Sequence, residues 1–323
     1  MPIKKGFIQR VDSQCESKWF TIDRSQQRLK MTHLPMRRSG YILKASCKDT
    51  TGIVAAVSGF LAAREALILE LTHFVDETAN RSFIRVEFED DADGEAERSA
   101  LGVAFRETVA RRFGMAFDFF SSERKMRTLV AVSRQSHCIN ALLHRWRDGH
   151  LPIEITGVVS NHDDQRALTE WYGLPFHHLP FDKENKMKQE QRLLALFEET
   201  GSELLVLARY MQILSPAVCK RLSGRVINIH HSFLPGFKGA RPYRQAFDRG
   251  VKIIGATAHY VTTDLDEGPI IEQDVVRVNH SKKPDELEQM GQDVESTVLN
   301  RAVRWHAQHR VFENGNRTIV LLH

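Results

Sequence analysis

Residues 128–133 read TLVAVS. The same kind of short apolar run returns as IEITGVVS at 153–160, FHHLP at 176–180, ELLVLA at 203–208 and RVINIH at 225–230. Segments of helical period lie between them, at 136–147, 163–172, 183–200 and, more briefly, 215–222. Apolar strands that alternate with helices need a sheet covered on both faces, so this stretch predicts a doubly wound, mostly parallel sheet. Toward the C terminus, KIIGATAHYVT (252–262) and PIIEQDVVRV (269–278) read as two more strands around an acidic turn. A long amphipathic helix follows, with Leu287, Met290, Val294, Val298, Ala302 and Trp305 on one face, and VFENGNRTIVLL (311–322) predicts a hairpin around Asn314-Gly315.

Upstream the pattern differs. YILKASC, IVAAVSGFLAA, ALILELTHFVD, SFIRVEFED, a helical pattern over 95–113 and MAFDFF give the order β-α-β-β-α-β, the ferredoxin-like unit. The expected organisation is therefore a basic leader outside the fold at 1–38, a ferredoxin-like domain at 39–121, a linker at 122–127 and an α/β catalytic domain at 128–323. The 323 residues suit two domains. The composition is that of a globular protein, with 42% hydrophobic and 27% charged residues. No stretch approaches the roughly 18 consecutive apolar residues of a membrane helix. Net charge is +4, and residues 1–30 alone carry seven Lys/Arg against three acids, so the rest of the chain is neutral and gives no sign of nucleic-acid binding. Cys15, Cys47, Cys138 and Cys219 are widely spaced and form no CxxC, which fits a reducing cytoplasm better than a disulfide framework or a cysteine zinc site.

Ligands of doubly wound sheets bind beyond the carboxyl ends of the strands. Two unusually polar segments bear on this. In Asn228-Ile229-His230-His231-Ser232 the strand period puts Asn228 and His230 on one side. In Asp264-Leu265-Asp266-Glu267-Gly268-Pro269 a Gly-Pro turn projects acids from a strand end. A carboxylate, an imidazole and a carboxamide together can run acyl transfer or hydrolysis: the acid orients the ring, and the ring and amide stabilise an oxyanion. Spacing alone does not establish this, because strand-end histidines are as a rule satisfied polar residues and acidic turns are usually solvated.

Asn228-Ile-His230, Ser232-Phe-Leu-Pro235 and Asp266-Glu-Gly-Pro269 together resemble the 10-formyltetrahydrofolate-using formyltransferase family. SRQSHC (133–138), WYGLPFHHLP (171–180), LARYMQILS (207–215), INIHHSFLPGFKG (227–239) and IGATAHYVTTDLDEGPIIEQ (254–273) extend the likeness. Residues 41–323 are similar to the family's deformylase branch, which joins an N-terminal ACT domain to the formyltransferase fold. The resemblance implies hydrolysis of 10-formyltetrahydrofolate to formate and tetrahydrofolate, within one-carbon metabolism and purine supply. It implies Asp266 as the essential acid that pairs with His230 and organises water. His230 would stabilise the tetrahedral intermediate and help protonate N10, and Asn228 would donate to the formyl oxygen. Arg209, Met211, Gln212 and Leu214 would lie along the pterin, with core packing of Met211, Ile213 and Leu214 as the plain alternative. Lys238 and Arg241 would meet the glutamate carboxylates, with a solvated surface as theirs. No metal and no cofactor are implied, since the folate is itself the substrate. The ACT resemblance implies a homo-oligomer and an amino-acid effector, although Arg64-Glu65-Ala66-Leu67-Ile68 stands where deformylases usually carry Gly-Gly-Asn-Ile.

Relatives that formylate glycinamide ribonucleotide cradle its phosphate in a glycine-rich loop after the first strand. Here that stretch is Ser133-Arg134-Gln135-Ser136-His137-Cys138-Ile139-Asn140, without glycine, and Ser136 is placed to cap the helix instead. Water is the expected acceptor. Formyl transfer to an amine, and an amino-acid-sensing regulatory protein, are the alternatives.

Overall fold

The computed structural model describes residues 39–91, 94–180, 185–236 and 242–322. The expected leader at 1–38 lies outside them. Strands β1 (Ser39–Lys48), β2 (Leu67–Asp76), β3 (Arg81–Asp90) and β4 (Ala116–Ser121) form an antiparallel sheet in the order β2-β3-β1-β4. Helix α1 (Ile53–Ala62) connects the first two strands. Helix α2 (Glu95–Phe105), a π turn (Arg106–Ala110) and a last turn α3 (Arg111–Phe113) together fill the expected single helix over 95–113. Period two sends Leu43, Ala45, Val86 and Phe88 to one sheet face, where they pack with Val57, Leu61 and Phe105 of the helices. The chain leaves α1 through Glu65 at φ +58°, a left-handed position that glycine normally takes after a helix.

The other face of that sheet is covered as well. The expected hairpin forms as β12 (Val311–Asn314) and β13 (Arg317–Val320), turning at Gly315 with φ +64°. Phe83 packs with Phe312, Ile319 and Leu321. Arg85 lies 1% exposed beneath the hairpin, donating to Glu70, Glu87 and the Gln308 carbonyl. Arg310 grips both oxygens of Glu70.

The second sheet runs β11-β10-β9-β8-β5-β6-β7. Its strands are β5 (Met126–Val132), β6 (Ile153–Ser160), β7 (Phe176–His178), β8 (Leu204–Ala208), β9 (Val226–His230), β10 (Ile253–Tyr260) and β11 (Ile270–Arg277). β5 to β9 are parallel, and β10 and β11 are antiparallel additions at one edge. β5 begins two residues before the expected domain start, so the expected linker at 122–127 gives up Met126 and Arg127. Helices α4 (His137–Arg147) and α9 (Pro284–Ala307) lie on one face over Val130, Val206, Ile227, Ile229 and Ala258. Helices α6 (Lys186–Glu199) and α7 (Pro216–Arg221) cover Leu129, Leu205 and Val226 on the other. Helix α5 (Arg166–Trp171) leads into β7. Ser136 holds the N-cap position of α4, but its side chain makes no capping bond. Helix α8 (Pro242–Asp248) has no counterpart in the sequence reading; Pro242 opens it at a position where a missing N–H costs nothing. No helix among the described residues is long and apolar enough to cross a membrane.

Candidate functional site

β9 carries Ile227 and Ile229 into the core beneath α4 and α9, so Asn228 and His230 leave from the opposite side of the strand. Because β10 runs antiparallel to β9, its last residues return alongside it: Thr257 pairs with His230, and His259 with Asn228. His259 therefore joins the pair that the sequence reading singled out. It is 2% exposed, receives the Asn228 carboxamide N–H on Nε2 at 3.2 Å, and gives its Nδ1–H to the Tyr260 carbonyl at 2.9 Å. The sequence reading missed it, because only the antiparallel pairing of β10 with β9 sets His259 across the ladder from Asn228.

The turn that follows brings the acid in. Asp266 stands at φ +57°, and its carboxylate lies between two imidazoles, with Oδ2 3.3 Å from His230 Nδ1 and Oδ1 3.7 Å from His259 Nε2. Gly268 makes this possible. A Cβ there would overlap the Tyr260 carbonyl oxygen, and the loop is pinned at the same place by the Tyr260 N–H donating to the Pro269 carbonyl at 2.9 Å. The hydrogen bond from His230, and then the nearby His259 ring, hold the Asp266 carboxyl well below the usual carboxylate range, against the opposing effect of burial. The site thus contains a permanent anion. With Nδ1 of His230 turned to it, Nε2 is buried and has no hydrogen-bond partner among the described residues. An unsatisfied buried nitrogen costs about 1–3 kcal/mol and marks a place where a ligand atom belongs.

A cavity of about 830 Å³ opens here. Asn228, His230, His259 and Asp266 line it, together with Arg209, Met211, Gln212 and Leu214, so the trio and four of the expected folate contacts share one space. Within that group the side chains divide. Leu214 packs into the core beneath α6 and α7, whereas Met211 is 58% exposed and Ile213 60% exposed. Core packing thus accounts for Leu214 alone. The Met211 N–H already donates to Ser133 Oγ, which fixes the loop after β8 to the end of β5. Arg209 is engaged elsewhere: its Nε donates to Gln135 Oε1, just before α4, and lies 3.3 Å from Glu295 of α9. Lys238 and Arg241 lie outside the described residues. His231 stacks against His230 with ring centroids 5.0 Å apart, and burial pushes its pKa down to about 4, so it is neutral at pH 7.

His137, Cys138 and Glu295 bring potential ligand atoms within 4.8 Å of one another. Glu295 there accepts from His137 Nε2 at 2.7 Å and lies 3.3 Å from the Arg209 guanidinium, a neighbour that opposes a cation.

The arrangement can polarise a carbonyl, orient a water and pass a proton to a leaving nitrogen. Comparisons with known proteins give the family. The family model for formyl transferases matches residues 126–303. A formyltetrahydrofolate deformylase from Corynebacterium sp. (strain P-1) is 50% identical over 281 residues, 87% of this chain and 98% of that protein. The crystal structure of the Burkholderia mallei formyltetrahydrofolate deformylase superposes with a TM-score of 0.82 at 48% identity, covering 88% of this chain and all of the other. A glycinamide ribonucleotide transformylase from Symbiobacterium toebii gives 0.59 at 28% identity, covering 63% of this chain and 97% of its own.

Proposed function

The chain belongs to the formyltetrahydrofolate deformylase family and hydrolyses 10-formyltetrahydrofolate to formate and tetrahydrofolate; from that premise we propose that Asn228, His230 and Asp266 carry the reaction. Asp266 fixes the His230 ring through Nδ1–H and leaves Nε2 as the working nitrogen. Asn228 spends one amide hydrogen on His259 and has a second for the formyl oxygen. Water, held at the Asp266 carboxylate, attacks the formyl carbon and gives its proton to His230 Nε2, so the ring becomes an imidazolium whose charge Asp266 balances. The new C–O bond forms as charge gathers on the formyl oxygen, where Asn228 and His230 stabilise it. The C–N10 bond then breaks with its electron pair going to N10, which His230 helps protonate. Formic acid leaves as formate. An acid–base group contributes about 10²–10⁴ in rate and one oxyanion donor about 10²–10³.

The observation that carries this reading is the 3.3 Å approach of Asp266 to His230 with the far ring nitrogen buried and unpartnered in the cavity. Met211, Gln212 and Leu214 form the pterin side, and Lys238 and Arg241 take the glutamate tail. The folate is the substrate, and no separate cofactor is needed. Cys47, Cys138 and Cys219, buried and unpaired among the described residues, suit the reducing cytoplasm. The ferredoxin-like unit serves as an ACT domain that pairs copies of the chain and takes an amino-acid effector. Leu67, Leu69 and Phe74, exposed on the edge strand β2, support the pairing. Incubation with 10-formyltetrahydrofolate alone should give formate and tetrahydrofolate in equal amounts; no formate without an added amine would overturn the hydrolytic reading.

A further inference from the structure

The cavity does not end at the reaction centre. Besides Asn228 and His230, it is lined by Gln135, Arg209, Tyr243 and, at the start of α9, Pro284 and Asp285. Two of these, Arg209 and Tyr243, belong to a polar cluster around Glu295. Glu295, fully buried in α9, accepts from Tyr243 Oη at 2.5 Å and from His137 Nε2 at 2.7 Å, and the Arg209 guanidinium lies 3.3 Å from it. Arg209 Nε also donates to Gln135 Oε1 at 2.6 Å. Two features show that this cluster is held at a cost. Arg209 stands at φ +63°, a left-handed conformation uncommon for a side chain-bearing residue, yet it is only 8% exposed. Gly291, one turn before Glu295, lies so close to the Tyr243 ring that a Cβ would overlap it, so a bare backbone is what lets Tyr243 reach the carboxylate.

We propose that Arg209, locked to Glu295 and Gln135, is an acceptor plug: it fills and charges the arm of the cavity from which an amine would attack, leaving water as the nucleophile. The inference rests on the hydrolytic reading above. Gln135 belongs to the loop after the first strand of the parallel sheet, which by the resemblance is where amine-formylating relatives cradle the phosphate of their acceptor, and the Arg209 guanidinium is bonded to it. Charge acts together with bulk. A bare buried carboxylate beside the cavity would attract an ammonium group, but Glu295 is already paired, and the cationic guanidinium of Arg209 repels a second cation. Water is small and neutral and escapes both restrictions.

The test is product partition on the full chain. In transfer, the amine nitrogen bonds to the formyl carbon, the C–N10 bond breaks with its pair going to N10, and the proton lost by the amine is taken up at N10. Wild type and Arg209→Gly are incubated with 10-formyltetrahydrofolate and millimolar glycinamide or hydroxylamine, and formylated amine and formate are both quantified. Their ratio does not depend on how much protein is folded. It should rise at least tenfold in Arg209→Gly. Because that variant leaves Glu295 without its guanidinium, Arg209→Gly combined with Glu295→Gln removes the orphan charge and should show the same rise. An unchanged ratio with formate still formed overturns the plug. Loss of both products in a double variant that circular dichroism shows to be folded overturns it too, since the pair would then serve the reaction centre itself. Absence of formate from the wild-type enzyme sinks the hydrolytic reading instead.

Discussion

Asn228 and His259 face each other across the antiparallel β9–β10 ladder, and the carboxamide nitrogen of the first lies 3.2 Å from Nε2 of the second. The Nδ1–H of His259 is bound to the Tyr260 carbonyl, so in the neutral ring Nε2 is the acceptor. This fixes which end of the Asn228 amide faces the histidine. It also fixes where the second amide hydrogen is available. A catalytic donor is worth most when it needs no reorganisation as charge develops.

His259→Phe should therefore act on turnover. The ring volume is kept and the acceptor is lost, which frees the Asn228 amide to flip. We expect kcat to fall by about tenfold to a hundredfold, less than the 10²–10³ that removal of an oxyanion donor costs outright, with KM within a few-fold of wild type. Steady-state kinetics decide it. An unchanged kcat would mean that Asn228 is oriented by something else.

Asp266→Asn should separate chemistry from binding. The amide is nearly isosteric with the acid, but it carries no charge for the imidazolium and accepts from His230 through one oxygen only. The rate should drop by about 10²–10⁴ while tetrahydrofolate affinity, measured by calorimetry, stays within a few-fold. A rate near that of the wild type would remove Asp266 from the mechanism.

Much of this geometry was legible in the residues. Period two along 225–230 was enough to put Asn228 and His230 together, and the Gly-Pro turn was enough to suspect an acid beside them. His259 was not legible, because its place depends on the direction and register of β10 against β9, which no local pattern encodes. Arg85 was hidden for a related reason. Strand alternation over 82–90 gives it a solvent-facing position, and only the hairpin more than 200 residues later closes over it. Helix α8 is seven residues long, too short for a hydrophobic period to stand out.

Gly268→Ala tests the loop rather than the acid. The added methyl would meet the Tyr260 carbonyl oxygen, which is backbone and cannot swing away. The hydrogen bond from the Tyr260 N–H to the Pro269 carbonyl must lengthen or the turn must move, and either change carries Asp266 away from His230. We expect at least a tenfold loss of kcat, with Asp266 and His230 both intact. Gly149→Ala has open space around its site and serves as the contrast, because its strain at φ +75° is remote from the cavity. Equal activity of Gly268→Ala and wild type would show that the loop's position is set elsewhere.

Mild acid should weaken the fold through histidines outside the chemistry. Burial pushes the pKa of His306 and of His309 down to about 3, and that of His231 to about 4. His306 Nδ1 accepts the Tyr260 hydroxyl at 2.6 Å, and His309 stacks on Phe120 with ring centroids 3.6 Å apart. In the unfolded chain each titrates near about 6.5. Below that value the unfolded state binds protons that the native state refuses, so these groups' stability is fully present above about pH 6.5 and is lost as pH falls toward 3–4. The slope is at most about 1.4 kcal/mol per pH unit for each histidine. Asp266, with its carboxyl depressed, adds to the loss only below about pH 4. Melting temperatures across pH 4–8 should therefore decline from about pH 6.5 downward. His309→Phe keeps an aromatic ring against Phe120 and removes one titrating group, so its decline should be shallower. Parallel declines for variant and wild type would show that His309 is not a source of the acid sensitivity.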